Sequence, residues 1–237
     1  QSWGMIAVAQ GDTARAVRHL RKSYELNPRN TVNQLWYGFA LEAIGEFETM
    51  IEVGVPVQAV VGLDKLERFD EAGTLLDTLT LGTSGNDASN LVIRTVAEHY
   101  MYSGQYDEAI RYVEDNFESL DAMLQQFERT DGSNSGYLAA LAYSYLHSGR
   151  DLEFRKLIDA MAEAEQRRDV ARDRSYGSLL DSIDLAALTG DDEKVLTQVQ
   201  RLIDFGVADV RLFDAPIYDR MADNPEFQKL DAILVKR

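Results

Sequence analysis

The sequence contains no cysteine, which excludes disulfides, thiol nucleophiles and cysteine-ligated zinc but leaves the redox compartment open. It has only four prolines and no low-complexity tract, so none of its 237 residues reads as a disordered linker. Long apolar runs are missing as well. The richest, from Val53 to Leu63, is shorter than the roughly 18 residues of a membrane span and is interrupted by Pro56, so no membrane partner is expected. A cytoplasmic location is the expectation, with a periplasmic one left open. Basic residues are few beside acidic ones. With 24 Lys and Arg against 40 Asp and Glu the formal net charge is −16, so most of the surface repels a polyanion and direct nucleic-acid binding is not expected. The local exception, Arg15, Arg18, Arg21, Lys22 and Arg29, is spread around a helix surface and reads as a solvated face.

Motifs that carry chemistry are also lacking. There is no phosphate-binding loop, no dinucleotide glycine fingerprint, no His-Glu-x-x-His helix and no Gly-x-Ser-x-Gly elbow, so neither catalysis nor a cofactor is expected. The three histidines, His19, His99 and His147, stand far apart and read as packed or surface side chains. Asp131-Gly-Ser133-Asn-Ser135-Gly136 copies the first half of a calcium-binding EF-hand loop. Its twelfth position is Ala142 where a bidentate Glu is required, so it reads as a helix-capping loop. Asp191, Asp192 and Glu193 suit a helix start, where acids meet the positive end of the dipole.

What the sequence does have is a recurring unit. Gly11-Asp-Thr-Ala-Arg-Ala16-Val-Arg-His-Leu20-Arg-Lys-Ser23-Tyr-Glu-Leu-Asn-Pro28 places a turn glycine, a small residue five later, a large apolar residue, another small one and a closing proline. The turn recurs at Gly45-Glu-Phe47, Arg68-Phe69-Asp-Glu-Ala72, Gly104-Gln-Tyr106-Asp-Glu-Ala109, Gly149-Arg-Asp and Gly190-Asp-Asp. Glycine permits a sharp reversal between antiparallel helices, and the small residue lets the second helix pack closely on the first. Upstream of the turns lie matching first helices: Leu35 to Ile44 with Gly38 at the small position, Val57 to Leu66, Ile93 to Ser103 with Ala97, Leu138 to Ser148 with Ala142, and Leu179 to Thr189. Their apolar residues fall at helical spacing.

This unit resembles the second half of a tetratricopeptide (TPR) motif. The resemblance implies an all-α, right-handed superhelical solenoid of about six antiparallel helix pairs, spanning residues 1–206, with a capping segment over 207–237. The segment Phe213-Asp-Ala-Pro216-Ile-Tyr218-Asp-Arg-Met221-Ala-Asp-Asn-Pro225-Glu-Phe227-Gln-Lys-Leu230 resembles the close of TPR regions in bacterial signalling proteins. Such regions often follow a class III nucleotide cyclase or a winged-helix regulator domain. Here it should fold back over the last pair and cover the apolar edge that a solenoid exposes. The first repeat retains only Ser2 to Gln10 of its first helix, so the chain reads as a fragment or a processed form of a longer protein.

The pattern also departs from the family. Gly11 to Gly45 spans the TPR period of 34 residues, but Gly104 to Gly149 spans 45 and Gly149 to Gly190 spans 41. Apolar steps from Tyr106 through Ile110, Val113, Phe117, Leu120 and Leu124 to Phe127 predict one long second helix, ending in the loop Thr130 to Ser135. Gly54-Val55-Pro56 should cut the second helix of the second unit short.

In a TPR solenoid the first helix of each pair lines the concave side, and the motif frame implies which residues face it: Trp36, Phe39, Val57, Val61, Arg94, Glu98, Tyr102, Tyr143, His147, Asp181 and Asp184. Aromatic residues with an Arg among them match the make-up of binding hot spots, whereas the Lys and Asn of the family's carboxylate clamp are missing. Trp36, Phe39, Arg94, Glu98, Tyr102, Tyr143 and His147 are therefore the candidate partner-binding residues. The alternative is that Trp36 and Phe39, and also Tyr102 and Tyr143, serve as core. The expected function is a non-catalytic scaffold for a protein or peptide partner, with a regulatory arm contacting its own upstream domain as the alternative.

Overall fold

The computed structural model describes residues 4, 12–80, 90–129, 136–171, 175–207, 211 and 213–235, and among these it is all-helical with no β-strand. The helices are α1 (Thr13–Leu26), α2 (Thr31–Ile44), α3 (Phe47–Val53), α4 (Pro56–Lys65), α5 (Phe69–Thr80), α6 (Asn90–Tyr102), α7 (Tyr106–Asn116), α8 (Leu120–Arg129), α9 (Gly136–His147), α10 (Asp151–Val170), α11 (Tyr176–Thr189), α12 (Asp192–Phe205) and α13 (Pro225–Val235), with a 3-10 helix at Pro216–Met221.

Local chemistry accounts for their limits. Asp12, Asn30, Ser175 and Asp191 each accept a hydrogen bond from the backbone N–H three residues on, satisfying a donor that the first turn leaves free. Asp192 and Glu193 do fall in the first turn of α12. Gly45, Gly104, Gly149 and Gly190 all take left-handed backbone conformations, with φ between 67° and 81°, which is what reverses the chain within two or three residues. The turn before Phe69 lacks a glycine, and Glu67 occupies the left-handed region instead, with φ 58°. Pro56 opens α4 after Gly54 turns extended, so α3 is held to seven residues as expected.

Consecutive helices pack on each other across these turns, and α2, α4, α6, α9 and α11 also touch one another in succession. Close approach depends on small residues. Ala16, Ala72 and Ala109 are fully buried at the helix-pair contacts, and a β-carbon on Gly38 would lie 2.1 Å from the Gln58 side chain of α4. The larger part of the core runs from α6 to α13, and a smaller cluster joins α1 to α4. Phe127 and Tyr137 meet edge to face at 5.8 Å in the larger one. Between α4 and α6 the buried Asp64 and His99 share a 2.8 Å contact, so the one histidine of the three that is buried has a partner; desolvation pushes the Asp64 carboxyl up and His99 draws it back.

Two expectations are corrected, and a third is extended. The long second helix after Tyr106 is two helices: Phe117 turns extended and the Ser119 hydroxyl caps α8. The apolar steps continue across the break because Val113 of α7 and Met123 and Phe127 of α8 all feed the same core. Val57 and Val61 do not line an open face, since α4 is enclosed by α2, α3, α5 and α6 and every residue from Val57 to Asp64 is buried. The C-terminal segment is more than a cap. α13 packs on α12, with Phe227, Leu230 and Leu234 buried, but the 3-10 helix lies against α9 and α11, and the N–H of Arg211 donates to the carbonyl of Ala43 at the end of α2. Gly11 and the loop Thr130 to Ser135 lie outside the described residues.

Candidate functional site

Arg94 and Glu98 sit one turn apart on α6, and this spacing puts both side chains on one helix face. The Arg94 guanidinium donates to Glu98 at 2.7 Å and to Glu42, near the end of α2, at 3.3 Å. Arg94 keeps 35% of its side-chain exposure, Glu42 23% and Glu98 14%, so the trio is walled by protein yet open to solvent. Desolvation pushes the Glu98 carboxyl up, Arg94 pulls it back and Glu42 adds to the rise; Glu98 first of all holds the Arg94 guanidinium charged.

One turn further along α6, the Tyr102 hydroxyl accepts a hydrogen bond from Lys65 at the end of α4. Its ionisation is pushed well up, first by desolvation and then by Glu98 and Glu42. The same cluster extends to α11. Burial first of all pushes the Tyr176 phenol at its start up, with Glu42 adding to the rise and Arg94 opposing it, and Asp184 two turns on accepts the hydroxyl of Tyr218 from the 3-10 helix. Burial, with Asp181 adding to it, pushes the Asp184 carboxyl up to about 7 in spite of that hydrogen bond and of Arg94. Asp181 itself pairs with Arg168 of α10.

Tyr143 and His147 of α9 form a second group, with Tyr106 as its third member. Ring centroids lie 4.2 Å apart for Tyr143 and His147, 5.0 Å for Tyr106 and His147, and 5.8 Å for Tyr106 and Tyr143. Desolvation and the neighbouring Tyr106 push the Tyr143 phenol up to about 12. His147 is exposed, beside a recess lined by Gly104, Tyr106, Asp107, Glu108 and Ser148. Trp36 and Phe39 are both half-buried and meet edge to face at 5.9 Å; Trp36 packs on the smaller core cluster, whereas Phe39 does not take part in it.

The predicted residues thus fall into three groups: Trp36 with Phe39; Arg94, Glu98 and Tyr102; and Tyr143 with His147. Comparison with family models, with curated proteins and with solved structures finds no match to this chain. Glu42, Lys65, Tyr106, Tyr176 and Tyr218 belong to the groups and were not foreseen. Glu42 follows Phe39 at helical spacing and was within reach of the same frame; Tyr218 was not, since its place depends on where the C-terminal segment docks. Among the described residues no three His, Asp or Glu side chains gather closely enough to hold a metal ion, and no helix is long and apolar enough to cross a membrane.

Proposed function

We propose that the chain is a non-catalytic scaffold that binds a protein or peptide partner, built as a TPR-like superhelix within a larger bacterial protein, and that its working face is the concave side. On this reading α2, α4, α6, α9 and α11 are the first helices of successive pairs, and their mutual contacts are those of an inner wall. The observation that carries the reading is the way helices of this set already hold a short stretch of polypeptide that runs into a 3-10 helix. Asp184 of α11 accepts the Tyr218 hydroxyl, and the backbone carbonyl of Ala43 at the end of α2 accepts the N–H of Arg211. A wall of fixed acceptors and half-buried aromatic rings is suited to recognising peptide, because such groups lose little conformational freedom on binding.

The test uses residues outside the ionic network. Phe39→Ala and His147→Ala, made together in the full chain, should lose captured partners from a lysate of the source cell. Truncating a hot-spot residue costs about 2 kcal/mol or more in binding. The melting curve should move little, since Phe39 lies outside the core clusters and His147 is exposed. Capture unchanged by this pair would reject the face as the binding surface.

A further inference from the structure

The stretch from Phe213 to Met221 is held by side chains more than by its own backbone. A 3-10 helix of six residues has poor hydrogen-bond geometry and rarely persists alone. Ile217, Tyr218 and Met221 are buried, Phe213 meets Tyr218 edge to face at 5.0 Å, and the 3-10 helix contacts α9 and α11. Two donors meet two carboxylates: the Tyr218 hydroxyl meets Asp184 on α11, and the Arg220 guanidinium meets Asp192 at the start of α12. The Arg220 pair is half-exposed, with side-chain exposures of 49% and 51%, so it orients more than it anchors. The segment is therefore placed by side-chain contacts with α9, α11 and α12 more than by its own helix.

Building on the reading of this face as a peptide-binding surface, we propose that Phe213 to Met221 is a built-in competitor, and that the external partner displaces it by presenting the same chemistry. That chemistry is an unphosphorylated tyrosine flanked by an aliphatic residue, with an arginine two positions later, as in Ile217-Tyr218-Asp219-Arg220-Met221. The receiving groups are Asp184 and Asp192, with Asp181 nearby, so the occupant must bring donors and positive charge. A phosphotyrosine would have to bury its negative charge and its bulk where the buried Tyr218 hydroxyl now meets Asp184, and is excluded by the cost of that burial. The tether gives the internal segment an effective concentration on the order of millimolar, so an external peptide competes at a large disadvantage until the internal anchors are weakened.

The experiment titrates a fluorescent synthetic peptide of residues 213–224 into the full chain and reads anisotropy. Wild type, Tyr218→Phe and Arg220→Glu are compared, each checked by melting curve and by solution mass. Tyr218→Phe should bind the peptide at least tenfold more tightly than wild type, and Arg220→Glu, which turns the pairing with Asp192 into a repulsion, more tightly by a smaller factor. A peptide whose tyrosine is phosphorylated, or replaced by phenylalanine, should bind at least tenfold more weakly than the parent. Arg220→Glu alters only a half-exposed side chain, so it keeps the test alive if Tyr218→Phe fails to fold. Equal binding by all three folded chains, or none, overturns the proposal. A variant that dimerises and takes up no peptide overturns it too, by assigning the site to the segment of a second copy. Loss of partner capture by Phe39→Ala with His147→Ala, alongside absent peptide binding, would sink the competitor alone; unchanged capture sinks the binding face with it.

Discussion

The side-chain amide of Gln58 occupies the space where residue 38 would carry a β-carbon, and from there it donates to the carbonyl of Leu35 at 2.7 Å. A helix crossing this tight is possible only because residue 38 is glycine. Gly38→Ala should therefore lower the melting temperature markedly, since overpacking costs about 1 to 3 kcal/mol. Gly177→Ala, in α11 with nothing near its missing side chain, is the control and should be neutral or stabilising. Equal melts for the two variants would contradict the packing described.

Ala109, fully buried in α7, offers the same test in another pair. Ala109→Leu must push α7 away from α6 or α9, and a loss of about 1 to 3 kcal/mol in a denaturant titration is expected. An unchanged midpoint would mean that the pair tolerates separation.

Asp184 gives a pH dependence with a definite sign. Its carboxyl is pushed up to about 7 in the folded chain, above the ordinary value of about 3.9. The folded state then holds a proton that the unfolded state has released, so stability contributed by this group is full below pH 4 and declines as pH rises towards 7. Tyr218 from the 3-10 helix, Asp181 on the same helix, and Arg94 and Glu98 from α6 are the groups that set its surroundings. Asp184→Asn keeps an acceptor for Tyr218 and should flatten this slope. A slope identical to wild type between pH 4 and 7 would assign the dependence elsewhere.

Removing Asp214 to Arg237 would uncover α9, α11 and α12 where Ile217, Tyr218, Met221, Phe227, Leu230 and Leu234 now cover them. The truncated chain should aggregate or elute as larger species in size-exclusion chromatography, because helix faces without a cover expose apolar surface. A monodisperse truncated chain would count against the covering role.

Much of this architecture was legible because short-range chemistry imposes it. Turn glycines at 45, 104, 149 and 190 mark reversals by their left-handed backbone, and alanines at 16, 72 and 109 mark helix contacts. Gly54 and Pro56 end and begin helices by their own geometry. The break at Phe117 was not legible, since the apolar face continues through it and only the Ser119 cap distinguishes two helices from one. Nor was the burial of Val57 and Val61, which depends on four other helices closing around α4. The site was half legible. Arg94, Glu98 and Tyr102 share one helix face and so could be found by spacing, as could Glu42 three residues after Phe39, while Lys65 and Tyr218 join the site only through tertiary packing.

The hydrogen bond from Arg211 to Ala43 bears on how the chain folds. In a linear array each repeat needs only its neighbours, so folding can start anywhere and unfolding can fray from either end. Here α2 receives a contact from a residue made long after it, a high-contact-order link of the sort that slows folding. Ribosome-bound intermediates lacking residue 211 would therefore leave the carbonyl of Ala43 without this partner and the side of Gly45 uncovered by the Arg211 side chain. The link ties a late-made part of the chain to an early one, and closing it is a step that contacts between neighbouring helices cannot supply.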